Sequence, residues 1–294
     1  MPNSRSEPVT RSSAQSTASV NSHVKSKLVV VTGGGRGIGK RLALGFAGAG
    51  AHIALIARSK AELDLSKLEI EHAGGSAARF EGDVRDREFV SEALNRATAH
   101  FGRPVGVLIC AAGIQGPIGP ITEADPQKWW DVLDVNLRGT FHAVRAALPG
   151  MMEARFGKIV AISGGGAAKP RPFFTAYAAS KAGLVRMMES LAEEVRDYNI
   201  QANCLSPGGT YTVMTDEILR AGDRAGWRDL EGARQVQMTG GVSPQRQLRL
   251  AMFLTSPKSN HISGRMIHVE DDWERLADTT LSAEAYTLRR LQKG

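Results

Sequence analysis

Two side chains near the middle of the chain, Tyr177 and Lys181 of "YAASK", have the types and spacing that proton transfer needs. Four residues apart on a helix they share one face. The lysine ammonium would then stand beside the phenol and lower its pKa. A phenol so held can give a proton to, or take one from, an oxygen whose carbon gains or loses a hydride. A partner hydroxyl is expected upstream, where the chain reads "ISGGG": Ser163 followed by three glycines.

Hydride chemistry needs a carrier, and the start of the chain offers a place for one. "VVVTGGGRGIGKRLA" puts Gly33, Gly37 and Gly39 between a strand end and a helix start, with Arg36 and Ile38 among them. Lacking Cβ atoms, such a backbone turns sharply and approaches a diphosphate, whose charge is met by the N-terminus of the following helix. A glycine triplet alone is also the pattern of a tight turn; directly after the first strand it predicts nucleotide binding. The second strand ends "ALIARS", where an NAD site wants a carboxylate for the ribose 2′-hydroxyl. Ala57 and Arg58 stand there instead, with no acid near in sequence, and Arg36 lies inside the glycine turn. Two guanidiniums suit a 2′-phosphate, so the expected cofactor is NADP(H) in preference to NAD(H).

The elements that position these residues follow from hydrophobic patterning. From Lys27, short β-branched runs alternate with helical stretches: "KLVVVT", 37–49; "AHIALIA", 60–73; "SAARF", 86–101; "VGVLIC", a helix within 126–153. The alternation continues through "GKIVAIS", 174–197; "IQANCLS", 211–224; a helix near 244–255; and "RMIHV". Strands this apolar, separated by helices, predict an α/β fold: a doubly wound parallel sheet with helices on both faces. No repeat or linker divides it, so one domain is expected over 27–270, followed by a polar, helical extension over 271–294. Residues 1–26, rich in Ser and Thr and nearly devoid of large apolar side chains, are expected to form a disordered tail.

In its motifs and their order the chain resembles the short-chain dehydrogenase/reductase family over residues 27 to 270. The resemblance is carried by "TGGGRGIG", "GDV" at 82–84, "CAAG" at 110–113, "DVNLRGTF" at 134–141, "YAASK" at 177–181 and "SPGGTYT" at 206–212. It implies a single Rossmann-type domain in which Asp83 and Val84 touch the adenine and Ala111 to Gly113 line the ribose and diphosphate. Pro207, Gly208 and Thr212 would hold the nicotinamide end. Asn136 would position a water beside Lys181, and Lys181 would bind the nicotinamide ribose. It also implies a homodimer or homotetramer built on the helices within 126–153 and 174–197, where Val185, Met188 and Leu191 suit an interface and a core equally.

The family's substrate-binding serine lies thirteen residues before the tyrosine, and that count reaches Gly164, not Ser163. Strand side chains alternate faces, so a one-residue offset turns Ser163 away. Three readings stay open: a shift within the glycines brings Ser163 round; the enzyme works without it; or the protein binds NADP as a sensor or scaffold with little catalysis. The catalytic set expected under the first is Tyr177, Lys181, Asn136 and Ser163. The reaction expected is reversible hydride transfer between NADP(H) and a small-molecule ketone, aldehyde or alcohol; epimerisation and dehydration are weaker readings, because their usual extra substrate domain has no room here. Arg220, Arg224 and Arg228 would share a helical face toward an acidic substrate group, although Asp223, Asp229 and Glu231 favour a solvated face.

Composition narrows the partners. Of the formal net charge of +7, +3 falls within residues 1–27, and no basic run carries interleaved aromatics, so nucleic-acid binding is not expected. The absence of an eighteen-residue apolar run or a secretory signal leads to the expectation of a cytoplasmic protein without a membrane role. Cys110 and Cys204 read as small buried hydrophobes, and no metal-ligand spacing occurs.

Overall fold

The structure, a computed structural model, describes residues 22–289. The disorder expected of residues 1–21 lies outside the described residues. Residues 22–26, assigned to the same tail, belong to the fold. Val24 is fully buried in the apolar layer, and its carbonyl accepts the Lys27 N–H. One large apolar side chain in a serine-rich run is enough to anchor it.

The sheet comprises β1 (Leu28–Thr32), β2 (His52–Ala57), β3 (Ser76–Glu81), β4 (Val105–Cys110), β5 (Gly157–Ile162), β6 (Ile200–Ser206) and β7 (Met266–His268). Its order is β3-β2-β1-β4-β5-β6-β7, with every pair parallel. The helices among the described residues are α1 (Gly37–Gly48), α2 (Lys60–His72), α3 (Arg87–Phe101), α4 (Pro126–Leu133), α5 (Gly139–Glu153), α6 (Thr175–Glu194), α7 (Val213–Ala221), α8 (Trp227–Thr239) and α9 (Pro244–Leu254). Strand alternation divides the core into two layers. Leu28, Val30, Leu108 and Cys110 face α3, α5 and α6, whereas Val29, Val31, Val107 and Ile109 face α1, α2 and α9. All four inner strands β1, β4, β5 and β6 are buried along their whole length, and this two-sided burial is why β1 and β4 are almost wholly apolar. At β1, flanked by β2 and β4, the winding reverses, opening a crevice at the carboxyl ends of the strands.

Two expectations about elements need correction. The helix expected over 211–224 ends early and does not run on to 228: α7 stops at Ala221, and Gly222 and Gly226, at φ of 56° and 74°, break the path before α8. Arg220, Arg224 and Arg228 therefore share no helical face; Arg224 pairs with Glu123 at 2.6 Å and Arg220 donates to the Asp216 carbonyl. Over its described residues, 271–289, the C-terminal extension is not a surface helix either. A 3₁₀ turn, Trp273–Asp278, buries Trp273 and Leu276, and the following irregular segment lies along β7. Its Tyr286 carbonyl accepts the Met266 N–H, and the Ser282 and Ala283 carbonyls accept from Arg265. The sheet edge thus takes hydrogen bonds that a helix would have kept to itself. Of the two places open to Val185, Met188 and Leu191, the structure shows the core: all three are buried within the chain.

Candidate active site

One cavity of about 1150 Å³ opens at the carboxyl ends of the strands. It is lined by Gly33, Arg36, Gly37, Ile38, Gly39, Arg58, Asp83, Val84, Ala111, Gly113, Pro207, Gly208 and Thr212, and also by Ser163, Tyr177 and Lys181. Residues far apart in sequence meet there because each follows a strand end in a parallel sheet.

The glycine turn is built for close approach. Gly33 adopts φ of 70°, and a Cβ on it would stand 2.6 Å from the Ala112 nitrogen. A Cβ on Gly39 would stand 2.3 Å from the Gly33 carbonyl oxygen. No side chain fits at either place, so the first turn of α1 packs directly on the loop and leaves its N-terminal N–H groups open to the cavity. A dinucleotide diphosphate fits this cradle.

At the end of β2, Arg58 is exposed and lies 3.9 Å from Asp83, and Arg36 pairs with Glu62 at 3.3 Å. The sequence reading found no acid in this region; the fold brings Glu62 in from α2. Ser59, which caps α2 by accepting the Glu62 N–H, sits between the two pairs. Burial raises the Asp83 carboxyl, but hydrogen bonds and charge from Arg85, with the charge of Arg58, more than reverse this and hold it below the usual carboxylate range.

At the other end of the cavity, α6 presents Tyr177 and Lys181, both buried, with Lys181 Nζ 5.5 Å from the Tyr177 ring centre. Lys181 donates to the Ile162 carbonyl at 2.8 Å, and burial lowers its pKa to about 8. Burial raises the pKa of Tyr177, opposed by the charge of Arg171. Of the two effects on the phenol, desolvation is the larger and the charge of Arg171 the smaller. Cys110 and Cys204 flank Lys181 as buried thiols pushed up to about 12 by burial, hence neutral.

Asn136 lies outside the cavity wall. Between α4 and α5 the chain widens into a π-helical turn, Asp134–Arg138, which turns Asn136 fully into the core. Its Oδ1 accepts the Ile114 N–H at 2.8 Å, and its Nδ2 donates to the Ile114 carbonyl and to Ser180 Oγ. Ser180, not foreseen from sequence, donates in turn to the Tyr177 carbonyl at 2.7 Å. Asn136 thus ties the loop after β4 to the helix that carries Tyr177 and Lys181.

Ser163 does not swing round. It is buried, with its hydroxyl 3.5 Å from Met266 Sδ. The position facing the phenol is Gly164, where a Cβ would stand 2.6 Å from the Tyr177 hydroxyl oxygen. Strand alternation persists to the end of β5, and the glycines do not undo it.

Sequence reasoning also missed Arg171 and Arg41. Arg41 donates to Thr210 Oγ1 at 2.9 Å and to the Tyr211 carbonyl at 3.0 Å, bracing the 206–212 loop against α1. Its place one helical turn beyond Gly37 is the signal that could have found it. Arg171 pairs with Asp229 of α8 at 2.6 Å, across a sequence gap that carries no signal.

This geometry agrees with the comparisons. Residues 27–222 match the short chain dehydrogenase family. The chain is 34% identical over 253 residues to 2,3-dihydro-2,3-dihydroxybenzoate dehydrogenase of Bacillus subtilis, covering 82% of this chain and 93% of that one. It is 29% identical over 247 residues to a 3-oxoacyl-[acyl-carrier-protein] reductase of Thermotoga maritima, covering 84% and 97%. Among solved structures, an actinorhodin polyketide ketoreductase with NADPH superposes with a TM-score of 0.76 at 27% identity, covering 83% and 95%. NAD+-bound xylitol dehydrogenase does so with a TM-score of 0.77 at 25% identity, covering 83% and 98%. The chain belongs to the short-chain dehydrogenase family and is an oxidoreductase acting on CH–OH or C=O groups.

Proposed function

We propose that the protein is an NADP(H)-dependent reductase of a small ketone or aldehyde, reversible as an alcohol dehydrogenase, with Tyr177 as acid/base. The observation that carries this reading is that Tyr177 and Lys181 meet the glycine cradle in one cavity. The names of its relatives, which act on a ring diol or on oxo groups, support carbonyl and alcohol chemistry.

The dinucleotide would lie across Gly33, Gly37, Ile38 and Gly39, with Val84, Ala111 and Gly113 beside it and Pro207, Gly208 and Thr212 at its far end. When bound it supplies or accepts the hydride. Every other task falls to the chain. Tyr177, protonated at neutral pH because it is buried, gives its proton to the carbonyl oxygen of the substrate. Lys181, charged below about pH 8, keeps a positive charge near that oxygen. Ser163 has no part in this scheme, and Asn136 acts by holding the loop after β4 in register with α6. NADP(H) is favoured over NAD(H) by Arg58 and Arg36 at the end of β2.

The test is NADPH oxidation by the purified protein across ketones, aldehydes, keto-sugars and keto-acids, with Tyr177→Phe run beside it. Turnover that falls by about 10²- to 10⁴-fold in Tyr177→Phe is the expected result. Turnover unaffected by that change would remove Tyr177 from the mechanism. NADPH binding without turnover of any substrate would turn the reading toward a sensor or scaffold.

A further inference from the structure

The Tyr177 hydroxyl packs against the backbone of Gly164, where no side chain fits, and Ser163 points to Met266. What fills the neighbouring space is Arg171, from the loop between β5 and α6. Its stem lies over the other two glycines; a Cβ on Gly166 would stand 3.3 Å from Arg171 Cβ, and one on Gly165 would stand 3.9 Å from Cδ. Its guanidinium stacks 3.9 Å from the ring centre of the fully buried Phe174 and lies 5.4 Å from the ring centre of Tyr177. From across the cavity mouth, Asp229 of α8 accepts from Arg171 Nε at 2.8 Å. The cation is thus fixed by ring packing on one side and by a carboxylate on another, and only 16% of its side-chain surface is exposed.

We propose that Arg171 is a positioning residue for Tyr177, its fixed guanidinium lying over the phenol ring as a second positive neighbour beside Lys181. Of the three glycines, Gly166 is the one whose missing Cβ gives Arg171 its room, since a Cβ there would stand 3.3 Å from Arg171 Cβ. The charged groups around the phenol are few. Lys181 lies on its own helix, Arg171 on the adjoining loop and Asp229 on α8, while Lys169, Asp216, Glu217, Arg228 and His268 also line the cavity. Of the two cations beside the ring, Lys181 has its pKa lowered to about 8 by burial. A cation at this distance favours the phenolate, and Asp229 offsets part of the effect.

The inference rests on Tyr177 as the acid/base, so its test needs a readout that turnover does not control. Tyrosinate absorbance is titrated in the parent, Arg171→Ala, Arg171→Gln and Arg171→Lys, with Tyr177→Phe subtracted to remove Tyr198, Tyr211 and Tyr286. The Tyr177 midpoint is expected to rise by about one pH unit in the Ala and Gln variants and to stay near the parent value in Arg171→Lys. The pH limb of alcohol oxidation should move equally, slowing that reaction about tenfold below the midpoint. Gln keeps the stem over the glycines, so it decides the matter if Ala impairs folding. An unmoved midpoint in Arg171→Gln, or one that moves as far in Arg171→Lys, overturns the proposal. If the parent reduces carbonyls and the midpoint does not move, the reductase reading stands and this inference falls. If no carbonyl is reduced and the midpoint moves, the reverse holds.

Discussion

Arg58 ends β2 with its guanidinium in solvent and only a 3.9 Å pairing to Asp83, while Arg36 is held more closely by Glu62. Surface pairs of this kind contribute little to stability, so Arg58 is free to turn toward an added phosphate at small cost. NADPH is accordingly expected to bind about ten- to a hundredfold more tightly than NADH, and Arg58→Asp to abolish or reverse that preference. Fluorescence titration of both cofactors against both proteins checks it; an unchanged ratio would assign the preference elsewhere. The serine question is decided at this scale too. A single residue of offset moved the hydroxyl from the phenol to Met266, and a count along the sequence predicted that turn while leaving the flexible glycines as an alternative.

Among the elements, β5 carries an anomaly that no motif explains. Lys158 sits in the middle of the sheet, paired in register with Val107 and Gln201, and is 1% exposed. Its ammonium donates to the Ser256 carbonyl at 3.1 Å and to Asn260 Oδ1 at 2.7 Å, both neutral acceptors. Burial, followed by the charge of Lys27, lowers its pKa from 10.5 to about 7. Between those two values the unfolded chain binds more protons than the folded one, so this group makes stability rise with pH across that window. Below it both states are protonated and the full penalty remains. Urea unfolding at pH 7 and at about pH 9 should show a smaller rise for Lys158→Met than for the parent. Equal rises would mean that the ammonium is better compensated than its partners suggest.

For the whole molecule, the question is assembly. Helices α4 and α5 leave Trp130 and Phe141 on the surface, 57% and 47% exposed, whereas the residues first considered for an interface lie in the core. Large apolar side chains exposed on adjoining helices suit burial against a second copy of the chain. A homodimer or homotetramer through this face is the expected state, and Phe141→Glu should shift the mass measured by light scattering toward a single chain. A parent protein that already runs as a monomer, or a variant that keeps its assembly, would place any interface elsewhere.

Sequence by itself determined the alternation of strands and helices, the glycine turn and the Tyr177–Lys181 spacing, because each is a local pattern imposed by backbone period and by sterics within a few residues. It determined the sheet class as well, since runs as apolar as "VVVT" and "VGVLIC" are stable only when both faces are covered. Tertiary structure alone decided which charges meet. Glu62 reaches Arg36, Asp229 reaches Arg171, and the C-terminal segment leaves its expected helix to bind the edge of β7. It also decided the direction in which the Tyr177 pKa moves, where burial raises it against the charge of Arg171. Desolvation and long-range pairing depend on what the rest of the chain packs around a group, and no spacing along the sequence encodes that.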